Sequence, residues 1–299
     1  MDKNYIKGMN QDELHTLCAE SGESKFRAEQ LFEWMYRHGV LSFESMSNIK
    51  QSFREYLDKN YVLNTLELEK KSISKNDKSI KILFKTYDGY FIETVSMVDN
   101  DRHTVCISSQ VGCALDCDFC ATGKLGLKRN LITGEIVDQL IFVRNEIKTP
   151  ITNVVFMGMG EPLLNITAVL NAIDCISNDL GISQRRITVS TVGVADTLPR
   201  LGSMALHSLK RVKFTLAVSL HAPNQRLRES LIPSASSYPI DVLIKDCRKY
   251  FSITGRRVSF EYILLGELND KLEHAEQLAS IVGGFQSHVN LIAYNPIEG

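Results

Sequence analysis

The stretch that decides the fold is Thr104-Val-Cys106-Ile-Ser108, followed by Gly112-Cys113-Ala-Leu-Asp-Cys117-Asp-Phe119-Cys120-Ala-Thr-Gly123. A β-branched run feeds directly into a loop carrying three cysteines in C-x3-C-x2-C spacing. Thiolates are soft ligands, suited to iron–sulfur clusters or to zinc. A closed structural zinc site needs a fourth ligand close by. None stands at zinc-ribbon spacing: Cys106 and His103 lie upstream, and Cys175 and Cys247 fall in helical patterns. Three ligands in one loop suit a cubane cluster with one iron left open, and an open iron binds a small molecule. A zinc knuckle is the other reading of the same triplet.

Downstream, short β-branched runs alternate with helical stretches. The strands expected after Thr104–Ser108 are Asn153–Met157, Arg186–Ser190, Lys213–Ser219, Val258–Ile263 and His288–Ala293. Helical patterns cover Thr133–Lys148, Ile166–Asn178 and Ile240–Phe251. This rhythm implies a parallel sheet with its site at the strands' C-terminal ends. Six such units fall short of the eight in a closed barrel, so the core at 99–299 is expected to be a partial (βα)6 barrel. The fold class is α/β.

Upstream, residues 1–65 read as a helical accessory domain. Lys25-Phe-Arg-Ala-Glu-Gln-Leu-Phe-Glu-Trp-Met-Tyr36 places Phe26, Gln30, Leu31, Trp34 and Met35 at near-helical spacing, with Ser24 as a cap and Gly39 as a stop. A second amphipathic segment covers Met46 to Tyr61. The period then changes. Two β-rich runs from Ser79 to Val98, around Asp88-Gly89, predict a connecting β-hairpin over 66–98.

Bulk properties narrow the function classes. Lys and Arg number 34 against 35 Asp and Glu, which excludes a polybasic protein but not a local basic face for phosphate. No apolar run approaches bilayer length, and the polar start Met1-Asp-Lys-Asn-Tyr5 lacks the apolar stretch of a signal peptide. Seven cysteines, an odd number with three of them inside eight residues, fit a metal site in a reducing compartment better than a disulfide framework. The expectation is a soluble cytoplasmic protein.

Polar motifs recur at later strand ends. Phe156-Met-Gly158-Met-Gly160-Glu161-Pro162 closes a strand in a glycine-rich turn, where glycine permits close approach to a ligand and the carboxylate can bind an ammonium group. Glu161-Pro162 stands where a dinucleotide fingerprint would need its last glycine and helix start, which argues against that reading. Ser190-Thr-Val-Gly193, Ser219-Leu220-His221-Ala-Pro223 and Asn295-Pro296 follow β-rich runs in the same way. Taken singly, a Ser or His there is most often a cap or turn residue. Four at four strand ends point to one shared site.

The cysteine spacing, with Phe119 before its last member, resembles that of the radical-SAM superfamily. Phe26-Arg-Ala-Glu-Gln-Leu-Phe-Glu-Trp34, Val111-Gly-Cys-Ala-Leu-Asp-Cys117, Phe156-Met-Gly-Met-Gly-Glu-Pro-Leu-Leu-Asn165 and Ser219-Leu-His-Ala-Pro223 together resemble the radical-SAM RNA adenine methyltransferases. The branch that methylates carbon 2 of adenosine in 23S ribosomal RNA and in certain tRNAs is nearer than the carbon-8, antibiotic-resistance branch. The resemblance implies a [4Fe-4S] cluster on Cys113, Cys117 and Cys120. It implies S-adenosylmethionine contacts from Gly160, Glu161, Ser190, Ser219, Leu220, His221 and Asn295. It also assigns Glu93 as general base and Cys106 as the cysteine that helps resolve a protein–RNA adduct. Read without it, Glu93 is a solvent-facing hairpin carboxylate and Cys106 a buried strand cysteine.

An adenine ring carbon is a poor nucleophile, so the family uses a second S-adenosylmethionine as a radical source and passes the methyl group through a cysteine near the C-terminus. The sequence here stops at Gly299, where the family continues with that cysteine. The expectation is therefore that this chain binds cluster and S-adenosylmethionine without completing methyl transfer. The expected partners are 23S rRNA, tRNA and an electron donor such as flavodoxin, with no membrane, and the chain is expected to be a monomer. Phosphate contacts are sought at Lys25, Arg27, Arg37, Lys50 and Arg54, at Lys124, Lys128 and Arg129, at Arg185 and Arg186, and at Lys210 and Arg211; each is by default a solvated charge. The rival readings are a radical-SAM enzyme acting on a small molecule or protein, and a non-catalytic metal-containing RNA-binding module.

Overall fold

The computed structural model describes residues 4–294. Nine strands form one sheet in strict chain order: β1 Leu66–Ile73, β2 Ile80–Thr86, β3 Phe91–Asp99, β4 Arg102–Cys106, β5 Asn153–Phe156, β6 Ile187–Thr191, β7 Thr215–Ser219, β8 Val258–Leu264 and β9 Ser287–Ala293. The pairs from β1 to β4 are antiparallel. Those from β4 to β9 are all parallel. The six expected parallel strands are therefore present, each within a few residues of its expected bounds.

The segment expected as a connecting hairpin is continuous with the barrel sheet, because Val95 on β3 lies opposite Cys106 on β4. It also has a third strand. β1, Leu-Glu-Leu-Glu-Lys-Lys-Ser-Ile, is a charged edge with a register shift between Leu68 and Lys70. Charges and a bulge are how an edge strand avoids pairing with another chain, and they hide it from hydrophobic periodicity.

Three helices build the N-terminal module: α1 Gln11–Glu20, α2 Lys25–Phe32 and α3 Gln51–Asn60. A capping box starts α1, with the Asn10 side chain accepting from Glu13 N at 3.0 Å and Glu13 accepting from Asn10 N at 2.7 Å. α2 runs on as a π-helical turn, Glu33–His38, to the left-handed Gly39. Ser24 precedes α2 without a side-chain cap bond. The buried stripe is Ala28, Leu31 and Met35, whereas Phe26 is 59% exposed. Two residues are about 200° of helix, so Phe26 faces away from the stripe that Ala28 joins.

Along the barrel run α4 Thr133–Glu146, α5 Ile166–Asn178, α6 Thr197–Leu209, α7 Gln225–Leu231, α8 Ile240–Thr254 and α9 Leu272–Val282. All but α7, which packs beside Cys117 and Ala222, cover one face of the sheet, where Phe84, Ile92, Val105, Val154, Val189, Leu216 and Phe260 are buried. The N-terminal module docks on α4 through charge. Lys7 Nζ meets Asp138 at 2.6 Å, and the same carboxylate accepts from Thr65 N at 2.8 Å and Thr65 Oγ1 at 2.6 Å. None of the described helices is long and apolar enough to cross a membrane.

Candidate active site

Side chains alternate faces along a strand, and residues paired across strands share a face. Covering helices take Val105, Val154, Val189 and Val218, which leaves the opposite, inner face for the functional groups. The register assigns them one by one. Val95 pairs with Cys106, so Glu93, two residues along β3, shares its side; Cys106 pairs with Val155, and Val155 with Thr188. Ser190 then pairs with Ala217, which places Ser219 on the same face, and Ser219 pairs with Glu261. Four residues singled out by sequence, Glu93, Cys106, Ser190 and Ser219, therefore line one face. As diagonal neighbours, Glu93 and Cys106 lie about 7–8 Å apart, with their Cβ atoms somewhat closer.

The cysteine loop arches over the C-terminal edge of this face. Its neck is the two-residue pairing of Gln110 and Val111 with Asn130 and Arg129. Gly112 holds a φ of +75°, and a Cβ there would strike the Gly126 carbonyl, so only glycine lets entry and exit touch. Across the mouth, Asp118 N donates to Leu231 O at 3.1 Å, and Phe119 sets its edge on the His221 ring at 4.7 Å. Cys117 is buried with Ala222, Leu231, Ile232 and Ala235, whereas Cys113 and Cys120 are partly exposed.

Burial, then the neighbouring charges of Cys120 and Cys113, pushes the Cys117 thiol up to about 12. Burial also raises Cys113, helped by the Glu161 carboxylate. Thiolate charges that oppose one another are stabilised by a cationic group among them. Among the described residues no three His, Cys, Asp or Glu side chains converge as a ready-made metal site. The loop thus gathers three soft donors without closing them. That donor set fits a cluster bound by thiolates.

Glu161 sits deeper than a ligand contact on the rim would. Its carboxylate accepts from Leu163 N at 2.9 Å and Val192 N at 3.0 Å, stitching the end of β5 to that of β6. Burial raises its pKa, against bonds from Thr191, Leu163 and Val192. Gly160 has a φ of +103°, and a Cβ on it would fall 2.5 Å from Gln110 Cβ. The glycine at this turn thus makes room for the Gln110 segment packed against it. Gln110, fully buried, accepts from Glu161 N at 2.7 Å and ties the two segments.

Leu220 is buried, and its N–H, like that of His221, donates to Glu261 O. His221 is left-handed, with φ +57°. Its Nδ1 accepts from Ile263 N at 3.1 Å, which fixes the proton of the neutral ring on Nε2. Burial, then the Arg228 cation, pulls its pKa down to about 3. Cys106 stays a thiol at neutral pH, since burial raises its pKa to about 11. Glu93 carries an ion pair with Lys81 at 2.6 Å. Asn295 lies outside the described residues.

The structure adds groups that the sequence reading passed over. Asn269, 1% exposed, donates to His221 O at 2.8 Å and Ile263 O at 2.7 Å and accepts from Leu265 N at 2.7 Å. Glu261 accepts from Asn290 Nδ2 at 2.7 Å. Alternating polarity in Ser259-Phe-Glu261 was the available signal for that face. Arg228 is buried, donating to Val192 O at 2.6 Å and Tyr238 O at 3.3 Å, and burial lowers its pKa to about 10.

Several expected phosphate contacts do not serve this face. Arg129 is bidentate to both Asp88, at 2.6 and 2.9 Å, and Glu135, at 2.8 Å for each bond, so its guanidinium is consumed internally. Arg185 and Arg186 precede β6, and Lys210 and Arg211 precede β7, at the opposite end of the strands from the cysteine loop. In the N-terminal module Arg27 bonds Asn48 O at 3.0 Å, Arg37 pairs with Glu33, and Lys50 with Glu23.

Residues 5–63 match the family described as ribosomal RNA large subunit methyltransferase N-terminal domain, and residues 107–279 match the radical SAM superfamily. A Prochlorococcus marinus protein named as a probable dual-specificity RNA methyltransferase RlmN is 54% identical over 297 residues, covering 99% of this chain and 85% of the relative. A protein of the same name from Synechococcus sp. (strain CC9902) is 56% identical over 297 residues, with 99% and 84% covered. The crystal structure of a radical SAM methyltransferase from Sphaerobacter thermophilus superposes with a TM-score of 0.91 at 41% identity, covering 98% of this chain and 86% of that one.

Proposed function

The chain belongs to the RlmN-type dual-specificity RNA methyltransferases of the radical SAM superfamily, and from that premise we propose how its residues divide the work. Cys113, Cys117 and Cys120 hold the [4Fe-4S] cluster. Gly160, Glu161, Ser190, Ser219, Leu220, His221 and Asn295 form the S-adenosylmethionine site, with Glu161 and Leu220 acting through the backbone they fix. The substrate is RNA, and the target base is carbon 2 of an adenosine in 23S rRNA or tRNA. When bound, the cluster supplies the electron that cleaves S-adenosylmethionine; an external donor such as flavodoxin provides it. The chain works as a monomer.

The observation that carries this reading is the shared inner face, on which Glu93, Cys106, Ser190 and Ser219 lie beneath one cysteine loop. Neutral His221 keeps an Nε2–H to donate to a bound ligand, because Nδ1 is already an acceptor. Glu93 takes the proton from the reacting adenine carbon, and Lys81 holds the carboxylate over the face. Cys106 is protonated at neutral pH, so its thiolate forms only when a base other than the already protonated Glu93 takes its proton.

Anaerobic reconstitution tests the reading. The protein should take up iron with sulfide and form 5′-deoxyadenosine from S-adenosylmethionine and reductant, and Cys117→Ala should do neither. Zinc in place of iron, or a loaded chain that yields no 5′-deoxyadenosine, would overturn it.

A further inference from the structure

The inner face does not stop at Glu93. It continues onto the antiparallel strands, where it is open to solvent. Lys85 pairs with Phe91, Leu83 with Glu93 and Lys81 with Val95, so these six share the face on which Cys106 lies. On β1 the bulge brings Lys70 opposite Leu83, and Glu67 lies opposite Lys85. Phe91 is 44% exposed and Tyr90 beside it 41%. Lys70 and Lys85 have no ion-pair partner among the described residues. The acids on this stretch are Glu67 at its outer edge, Glu69 in the bulge next to Lys70, and Glu93, which Lys81 already pairs.

Direction matters as much as composition. β3 runs antiparallel to β4, so Phe91 projects four residues, or about 13 Å, beyond Cys106 on the side of the cysteine loop. The tip that carries it is held rigid. Arg129 binds Asp88 through two bonds, and its guanidinium lies 4.7 Å from the Tyr87 ring centroid; Tyr5 packs on Tyr87 from the N-terminal module at 5.2 Å. A rigid aromatic surface loses little entropy on binding.

We propose that this open face, with Phe91 as a stacking surface and Lys70 and Lys85 beside it, receives unpaired RNA nucleotides adjoining the target base. The inference rests on the reading of the chain as an RNA methyltransferase and adds where the RNA lies. Every base has a face that stacks on an aromatic ring, and single strands bind to such rings flanked by cations. A base must be unstacked before its carbon 2 can reach Glu93 and Cys106. Stacking its neighbour on Phe91 offsets that loss, and the two lysines meet the phosphates.

The test uses the full chain with its cluster, a hairpin RNA bearing an adenine in its loop, and the matching duplex. Fluorescence anisotropy should give Phe91→Ala about tenfold weaker binding to the hairpin, Phe91→Trp near-native binding, and Lys85→Gln a salt slope lower by about 0.7. 5′-Deoxyadenosine formation without RNA should match wild type in all three. If Phe91→Ala binds the hairpin as wild type does while cleavage persists, the platform is wrong and the activity stands. If the wild type prefers the duplex, the platform is equally wrong. If the wild type neither cleaves S-adenosylmethionine nor binds the hairpin, the underlying reading falls with it.

Discussion

The two halves of the nine-stranded sheet treat their inner faces differently. In the parallel half, polar groups answer one another: Glu261 with Asn290, Asn269 with His221 O, and Glu161 with the backbone after β5 and β6. In the antiparallel half, Phe91, Tyr90, Lys70 and Lys85 lie open on or beside the same surface. The first arrangement is preorganised, which suits a small cofactor gripped at several points. The second leaves room for a large partner whose contacts are made only on arrival. One sheet thereby joins a preorganised polar face to an open one.

Breaking the parallel half should have the largest effect. Cys117→Ala removes the buried member of the thiol triplet, and iron content with 5′-deoxyadenosine yield should fall to background. Helix-side support of the antiparallel half comes next. Lys7→Met strands Asp138 in a buried position and should cost about 3–5 kcal/mol by urea denaturation. A cost near zero would mean that the N-terminal module is not locked to α4 and β1. Asn269→Ala releases three bonds that clamp the ends of β7 and β8, and should cost about 2–4 kcal/mol with a weakened S-adenosylmethionine Kd.

The open face should respond weakly to the same assay. Phe91→Ala and Lys85→Gln should each change stability by less than about 1 kcal/mol, because neither leaves a buried group unpaired. A large loss there would erase the contrast between the halves. Smallest is the pH response of the hairpin tip. Arg129, and to a lesser degree Thr86, hold Asp88 down at about 2, below its ordinary 3.8. With the folded value depressed, this stabilisation is fully present above about pH 4 and lost as pH falls towards 2. Melting curves of Asp88→Asn should therefore decline less steeply than wild type across that window.

Much of this was legible in the sequence for identifiable reasons. Six parallel strands were readable because buried β-branched runs such as Asn153-Val-Val-Phe156 have no helical period, and the cysteine loop announced itself by spacing. Glu93, Cys106, Ser190 and Ser219 could be nominated one at a time, but their common face could not. A face is set by register relayed across strands that lie far apart in the chain, from Glu93 to Ser219, and nothing local specifies it. Arg129 shows the opposite error, since a basic residue beside the site reads as a phosphate contact until the fold brings Asp88 and Glu135 to it. Edge strand β1 escaped because its charges are the very feature that keeps an edge from aggregating. The sequence by itself thus determined the chemistry available: three thiols in one loop, carboxylates on the strands and a rhythm of strands and helices. Only the tertiary structure decided which groups are spent on one another and which stay free, because hydrogen bonds and burial between distant segments exist only once the chain has closed.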